Sequence, residues 1–321
     1  MEHGFVWDLD PVIAYLGPLQ LRYYGIIFAS MLYIGFIIWR KQMLRGGYSL
    51  DLAERFLIWG VLAVLIGARL GHCFFYEPER YLADPITILH FWKGGLASHG
   101  ATVGLVVTMA LFCKKYNLRY LEVLDRMSMP SAVGAAAVRL GNFFNSEIVG
   151  RPTDGTWGVD FVRYNAMMGE PSTLRHPSQL YEFFMGMFVL LALYLADKWA
   201  GKEKRPLGLL AGLFLVLYFA GRFTVEYFKE FQTLEDSALT MGQYLSIIPF
   251  TAGVVLLGRV AVKRIPTDEG REERIAATNK KLPSAASKSE KSAGLTKKTS
   301  GGKHASAKSA KSGKSKGKKR N

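Results

Sequence analysis

Seven long apolar runs leave this chain few ways to fold. They lie near residues 20–39, 54–76, 96–113, 127–146, 180–197, 207–228 and 241–262. Each is close to the ~20 residues a helix needs to cross the hydrocarbon core of a bilayer. Nothing alternates with period two over many segments, which argues against a membrane barrel. Gly and Ser within the runs suit close packing of helices in lipid. The expectation is an all-α polytopic membrane protein with about seven transmembrane helices.

Charge in the connections orients them. Arg40, Lys41, Arg45 and Arg55 follow the first run, Lys114, Lys115, Arg119 and Arg126 the third, and Lys198, Lys202, Lys204 and Arg205 the fifth. Residues 1–18 have no Lys or Arg, and the other alternate connections are poor in them. By the positive-inside bias the N-terminus lies outside and the C-terminus in the cytoplasm. The start of the chain has no basic stretch leading into a short apolar one, so no cleavable signal peptide is expected. The outward connection 147–176 is the longest and carries its own Gly, Pro and Trp. With 1–19 and 77–95 it is expected to form a small extracytoplasmic cap on a transmembrane domain of residues 1–265.

The formal charge of +15 suggests a nucleic-acid binder only until it is located. From Asn279 onward there are 14 Lys or Arg and one acid, Glu290, whereas the rest of the chain has 27 basic and 25 acidic residues. Residues 266–321 are therefore expected to be a disordered, Lys/Ser/Ala-rich cytoplasmic tail. It is either solvated or in contact with anionic lipid or nucleic acid. Cys73 and Cys113 sit in apolar runs without a Cys or His at metal-ligand spacing, and read as buried thiols. No metal or cofactor is called for.

An ionisable side chain in a membrane span costs several kcal/mol unless it pairs or meets water, so the polar residues in the runs are the functional pointers. In "AAAVRLGNFFNSEIVGR", residues 135–151, Arg139, Asn142 and Ser146 share a helix face, with Gly141 leaving room for a close neighbour. A guanidinium fork suits a phosphate diester, although an interhelical salt bridge would also explain it. In "LYFAGRFTVEYFKE" Arg222 and Glu226 stand at i, i+4 and can pair, with Tyr218 one turn earlier. His99, among Gly94, Gly95, Gly100 and Gly104, begins the third run, where a neutral imidazole can take a proton near neutral pH. Tyr23 reads as an interfacial anchor beside Tyr24 and Gly25. In "LRHPSQLYE", Ser178 and Glu182 fall near capping-box spacing, and a helix cap is the default reading. Arg69-Leu70-Gly71 echoes Arg139-Leu140-Gly141 too briefly to establish a duplication.

Taken together, these motifs resemble one family, the bacterial prolipoprotein diacylglyceryl transferases. The family signature, Arg-x-Gly-Asn-Phe-x-Asn-x-Glu-x-x-Gly-Arg, reads here from Arg139 to Arg151. "YYG" at 23–25, "GGLASHG" at 94–100, "RHPSQLYE" at 175–182 and "GRFTVEYF" at 221–228 follow the family's order. The resemblance spans about residues 8–262. Val138 stands where the family usually has Gly, and Ala101 where it has the second Gly after His. The resemblance implies transfer of the diacylglyceryl group of phosphatidylglycerol to the lipobox cysteine of a prelipoprotein. That forms a thioether and releases glycerol 1-phosphate, at the bacterial cytoplasmic (inner) membrane. It implies no cofactor. His99, Arg139 and Arg222 become catalytic candidates, and Tyr24, Asn142, Asn145, Glu147, Gly150, Tyr218 and Glu226 substrate-binding ones. A lipid or small-anion transporter, with Arg and Asn lining its path, is the alternative.

Overall fold

In the computed structural model the described residues are 4–17, 19–90, 94–95, 97–153, 155, 157–230 and 238–282. A short strand β1 (Gly4–Trp7) and the hairpin β2 (Val12–Leu16) and β3 (Leu19–Arg22) precede helix α1 (Tyr23–Arg45). Next come α2 (Leu50–Phe75), a short α3 (Pro78–Ala83), α4 (Ser98–Tyr116) and α5 (Tyr120–Phe144). The cap elements β4 (Gly158–Phe161), α6 (Val162–Met168) and β5 (Leu174–Arg175) lead into α7 (Ser178–Trp199), α8 (Leu209–Val225), α9 (Met241–Lys263) and α10 (Arg271–Lys281).

The helix ends are chemically marked. Ser49 caps α2 by accepting from the backbone N–H of Leu52 at 3.3 Å. Thr240 and Gln243 form a reciprocal capping box on α9. Asn117 closes α4 in the left-handed region, at φ 58°.

Five helices are long and apolar enough to cross a membrane: α1, α2, α7, α8 with its following turn, and α9. Helices α4 and α5 occupy the third and fourth apolar runs but fall short of that measure. The first carries His99 and two lysines, and the second carries Glu122, Asp125, Arg126 and Arg139. Large apolar side chains lie outside while guanidiniums lie inside, the reverse of a water-soluble protein. Ile58, Phe184, Phe188 and Val255 are more than 60% exposed, whereas Arg126 and Arg205 are fully buried.

Two packing units make up the helical body. Helix α5 is the post against which α1, α7 and α8 pack, and α2 pairs with α4. The α2–α4 contact brings backbones together. A Cβ at Gly71 would lie 2.7 Å from the Gly100 Cα, and one at Gly104 would lie 2.5 Å from the Ala63 carbonyl. Small residues permit this approach, and in lipid it is packing rather than water exclusion that joins helices.

The fold departs from an all-α chain in the cap. Strand β4 pairs in parallel with β1 and antiparallel with β5, so segments far apart in sequence share one sheet. Phe143, Val149, Val159 and Phe161 form an apolar cluster beneath it. Period-two patterning over two to five residues is too short to register against seven helical runs.

A second departure concerns the segment expected to be disordered from 266. Residues 266–282 are folded. Leu207 and Thr267 donate backbone hydrogen bonds to Ile265 and Arg205, and α10 packs against α4. Arg274 and Thr278 are buried, and the Thr278 hydroxyl donates to the Tyr116 carbonyl at 2.8 Å. This helix is held largely by polar groups, with Ile275 and the C-cap residue Leu282 as partly buried apolar contacts to the neighbouring core, so an expectation based on apolar content passes over it. The remaining tail lies outside the described residues.

Candidate functional site

The signature closes α5 and turns sharply away. Its last two helical turns present Arg139 and Asn142. The chain then reverses through Ser146 and Ile148, both at φ 54°. Asn142 and Asn145 donate side-chain amides to the Glu147 carboxylate at 3.3 and 3.1 Å. The two asparagines thus fix a carboxylate without spending a cation on it.

Arg139 turns to α7. Its Nε stands 2.6 Å from Glu182 Oε2, and its Nη1 stands 3.5 Å from Asn142 Oδ1. Glu182 is 1% exposed and also receives Lys229 Nζ at 2.8 Å, with Arg222 Nη1 at 3.8 Å. One buried carboxylate therefore gathers three cations from α5, α8 and the segment after α8. Lys229 in turn reaches Glu226 at 3.3 Å.

Two expectations change here. Glu226 pairs with Lys229, and the ion pair recorded for Arg222 is with Glu182. The reason is local: α8 ends at Val225 and tightens into a 3₁₀ turn over Glu226–Phe228, which takes Glu226 off the i, i+4 face. Glu182 is likewise no helix cap. Pro177 is the N-cap residue of α7 and makes no side-chain cap bond, and the Ser178 hydroxyl donates to the Ile148 carbonyl at 3.1 Å.

Other candidates sit around this centre. The Tyr24 ring fills the space that Gly141 leaves, since a Cβ there would lie 2.7 Å from the ring. Gly150 is a crossing of main chains. Its N–H donates to the His176 carbonyl at 2.9 Å, and the next N–H, of Arg151, donates to Phe228 at 3.0 Å. A Cβ on Gly150 would meet the carbonyls of both His176 and Phe228. Tyr218 stacks on Phe214, with ring centroids 5.4 Å apart. The Glu226 carboxylate lies against Gly242 in the first turn of α9.

His99 lies apart from the cluster. It is exposed in the wall of an apolar groove of about 1130 Å³ between α2, α4 and the start of α9. Among the described residues no hydrogen bond or ion pair joins it to Arg139 or Arg222. The two sites are neighbours through α9, whose Met241 lines the groove while the next residue, Gly242, touches Glu226.

Residues that were not site candidates in the sequence complete the arrangement. Gln179 donates to the Glu147 carbonyl at 2.8 Å. Arg175, 2% exposed, pairs with Glu170 and Glu230 and donates to the Gly150 carbonyl. Arg69 is a clamp: its guanidinium donates to the carbonyls of Thr87, Ile88, Gly94 and Gly95, fastening those residues to α2.

The family model for prolipoprotein diacylglyceryl transferase matches residues 11–259. The chain belongs to this family. Its curated relatives include the phosphatidylglycerol–prolipoprotein diacylglyceryl transferase of Tolumonas auensis, 38% identical over 256 residues, which covers 78% of this chain and 95% of that protein. The protein of the same description from Chloroherpeton thalassium is 39% identical over 258 residues, covering 78% of this chain and 92% of that one. That from Nitrosospira multiformis is 37% identical over 260 residues, with 78% and 86% covered. The matched family region contains the Arg139 cluster, the signature and His99, and ends just short of the α9 C-terminus.

Proposed function

We propose that the chain transfers the diacylglyceryl group of phosphatidylglycerol to the lipobox cysteine of a prelipoprotein, with the Arg139–Arg222–Lys229 cluster as the anion site. One observation carries this assignment: three cations converge on the single carboxylate of Glu182 beside the family signature. With Glu226 on Lys229 as a second acid, three cations still outnumber two carboxylates, which leaves positive charge for a ligand.

The reaction needs that charge at a defined place. The cysteine thiolate attacks the glyceryl carbon that bears the phosphate. A C–S bond forms, that carbon's C–O bond breaks, and glycerol 1-phosphate leaves with the bonding electrons. Negative charge builds on the departing phosphate, and preorganised cations in a site shielded from water are worth most there. Arg139 and Arg222 fill that role. A free thiol has a pKa near ~8.5, so its proton must be accepted. His99, in the wall of the apolar groove that would hold an acyl chain, is the assigned base, with α9 linking it to the cations.

Tyr24, Asn142, Asn145, Glu147, Tyr218 and Glu226 position the head group and the arginines, while Gly150 keeps the crossing chains close enough to do so. The membrane reading assigns seven spans, with α4 and α5 completing the five most apolar helices. The N-terminus and the cap face outward and the C-terminus faces the cytoplasm, in the inner membrane. The site then lies on the side that a secreted prelipoprotein reaches.

The test is direct. Purified protein is incubated with phosphatidylglycerol and a lipobox peptide, and the peptide is weighed by mass spectrometry. A diacylglyceryl mass on the cysteine is expected. No adduct, under conditions in which a relative forms it, refutes the proposal. Replacing His99 with Asn is expected to impair transfer severely, and retained transfer with an unshifted pH profile removes His99 as the base.

A further inference from the structure

Helices α1 and α7 both lean on α5 without packing appreciably on each other among the described residues. Between them runs a groove of about 470 Å³, at the end of the helices away from the signature. Its walls repeat at helical spacing. Ile38, Lys41, Gln42 and Arg45 come from α1, and Met187, Leu190, Leu191, Tyr194 and Asp197 from α7, with Met129 of α5 as part of the floor. At 1.5 Å per residue, the α7 wall is about 15 Å long. Met187, Leu191 and Tyr194 are each more than 40% exposed, so the groove opens sideways from the helical body.

The far end of this groove is positive. Arg45 faces Asp197 at 2.6 Å and Glu203 at 2.8 Å, but it shares both acids. Asp197 also holds Arg205, and Glu203 also holds Arg126 and Arg271. Lys41 is exposed, and no ion pair is recorded for it among the described residues. Lys41 lies 18 residues beyond Tyr23, or about 27 Å along the helix, close to the ~30 Å thickness of a hydrocarbon core. An apolar trough thus ends at the opposite head-group level in a cation with no counter-ion among the described residues.

We infer that this groove binds one anionic glycerophospholipid of the leaflet opposite the transferase cluster. An acyl chain lies between Ile38, Leu190 and Leu191, the phosphate sits at Lys41, and the Tyr194 hydroxyl stands beside it. The inference rests on the bilayer-spanning reading and is independent of the transfer chemistry. A zwitterionic lipid offsets its phosphate with its own ammonium, whereas an anionic lipid keeps a net negative charge for Lys41, so net charge selects the occupant.

Native mass spectrometry tests this on the full chain in detergent, titrated with phosphatidylserine or with phosphatidylcholine of identical acyl chains. One phosphatidylserine per chain is expected, retained about five- to tenfold better than phosphatidylcholine, as a charge contact of about 1 kcal/mol or a little more predicts. Lys41→Gln is expected to bring the two lipids level, and Leu190→Trp, which fills the trough, to remove both. Arg139→Ala is expected to leave retention unchanged while ending transfer, which separates this site from the catalytic one. Equal retention of the two lipids by the wild type overturns the inference. So does retention that Arg139→Ala abolishes and Lys41→Gln does not, or a protein dimer occupying the groove in place of lipid. Lys41 is an exposed position, so its variant remains informative if Leu190→Trp does not fold.

Discussion

The same four helices carry a charge cluster at each end, and the two are built on opposite principles. At the far end, where α1 and α7 finish and α5 and α8 begin, five arginines (Arg45, Arg126, Arg205, Arg271 and Arg274) meet four acids (Glu122, Asp125, Asp197 and Glu203). Each arginine has a carboxylate, and Asp125 also accepts the backbone N–H groups of Gly208 and Ala211 at 2.8 and 2.9 Å, capping the start of α8. At the signature end three cations share Glu182, Lys229 also pairs with Glu226, and Glu147 is held by neutral amides. The first cluster keeps one arginine in excess of its acids, and its pairs tie helices together. The second gathers three cations on two acids, Glu182 and Glu226, directly beside the family signature. Burial of charge alone therefore does not mark a catalytic centre; the place of the second cluster beside the family signature does.

The largest expected effect tests the signature end. Arg139→Ala should lower transfer by about a thousandfold or more, the scale of losing a preorganised contact to developing charge, while the protein still inserts and keeps its melting temperature within a few degrees. Near wild-type transfer would remove Arg139 from the mechanism and make the two clusters alike. Glu182→Gln comes next. It leaves three cations without their shared acid and should cut transfer about a hundredfold by misplacing Arg139 and Arg222. High phosphate should protect this variant against heat more than it protects the wild type. If both respond equally to phosphate, Glu182 is not what balances the cations.

At the far end the readout should be stability instead. Glu203→Ala removes an acid that serves Arg45, Arg126 and Arg271 and should destabilise the fold by about 3–5 kcal/mol, the usual cost of orphaning a buried charge. The rate per folded molecule should not change. A variant that melts normally but transfers poorly would reverse the roles assigned to the two ends.

Glu203 also gives that end a pH signature. Burial pushes its carboxyl up, but hydrogen bonds and charge from Arg126, Arg45 and Arg205 outweigh burial and hold it at about 2. A folded pKa below the unfolded one stabilises the fold at pH above the unfolded value. That contribution is lost as pH falls from about 4.5 toward about 2, and on the order of 3 kcal/mol is at stake. In thermal melts the gap between wild type and Glu203→Gln should be widest near neutral pH and shrink through that window. A constant gap would mean that Glu203 titrates normally.

How much of this could be read from the sequence follows the physics of each part. The long helices were legible because about twenty apolar residues have few other uses. Arg139, Asn142 and Glu147 were legible because polar groups beside an apolar run must have a reason. The same rule pointed to Glu182 at the head of the fifth run, but its proximity to Ser178 suggested a local cap, and its partners Arg139 and Lys229 lie 43 and 47 residues away. Pairing across such separations is set by how α5, α7 and α8 pack, which no local spacing reveals. Helix α10 was hidden because polar contacts such as Thr278 to Tyr116 hold it, and composition records only apolar content.

The smallest effect draws the boundary of the far cluster. Arg271 and Arg274 belong to α10 and bond Glu203 and Glu122 at 2.7 and 3.5 Å, so the folded unit extends past the last membrane helix. Ending the chain after Leu282 removes most of the Lys-rich tail and none of these contacts, and should leave both transfer and melting temperature unchanged. Ending it after Ile265 removes α10 as well. Glu122 and Glu203 then each lose one of several partners, and the melting temperature should drop by a few degrees, about 1–2 kcal/mol for partly buried ion pairs. Transfer per folded molecule should persist in both truncations. If the cut after Leu282 lowers transfer as much as the cut after Ile265, the basic tail takes part in catalysis and the separation between the two ends fails.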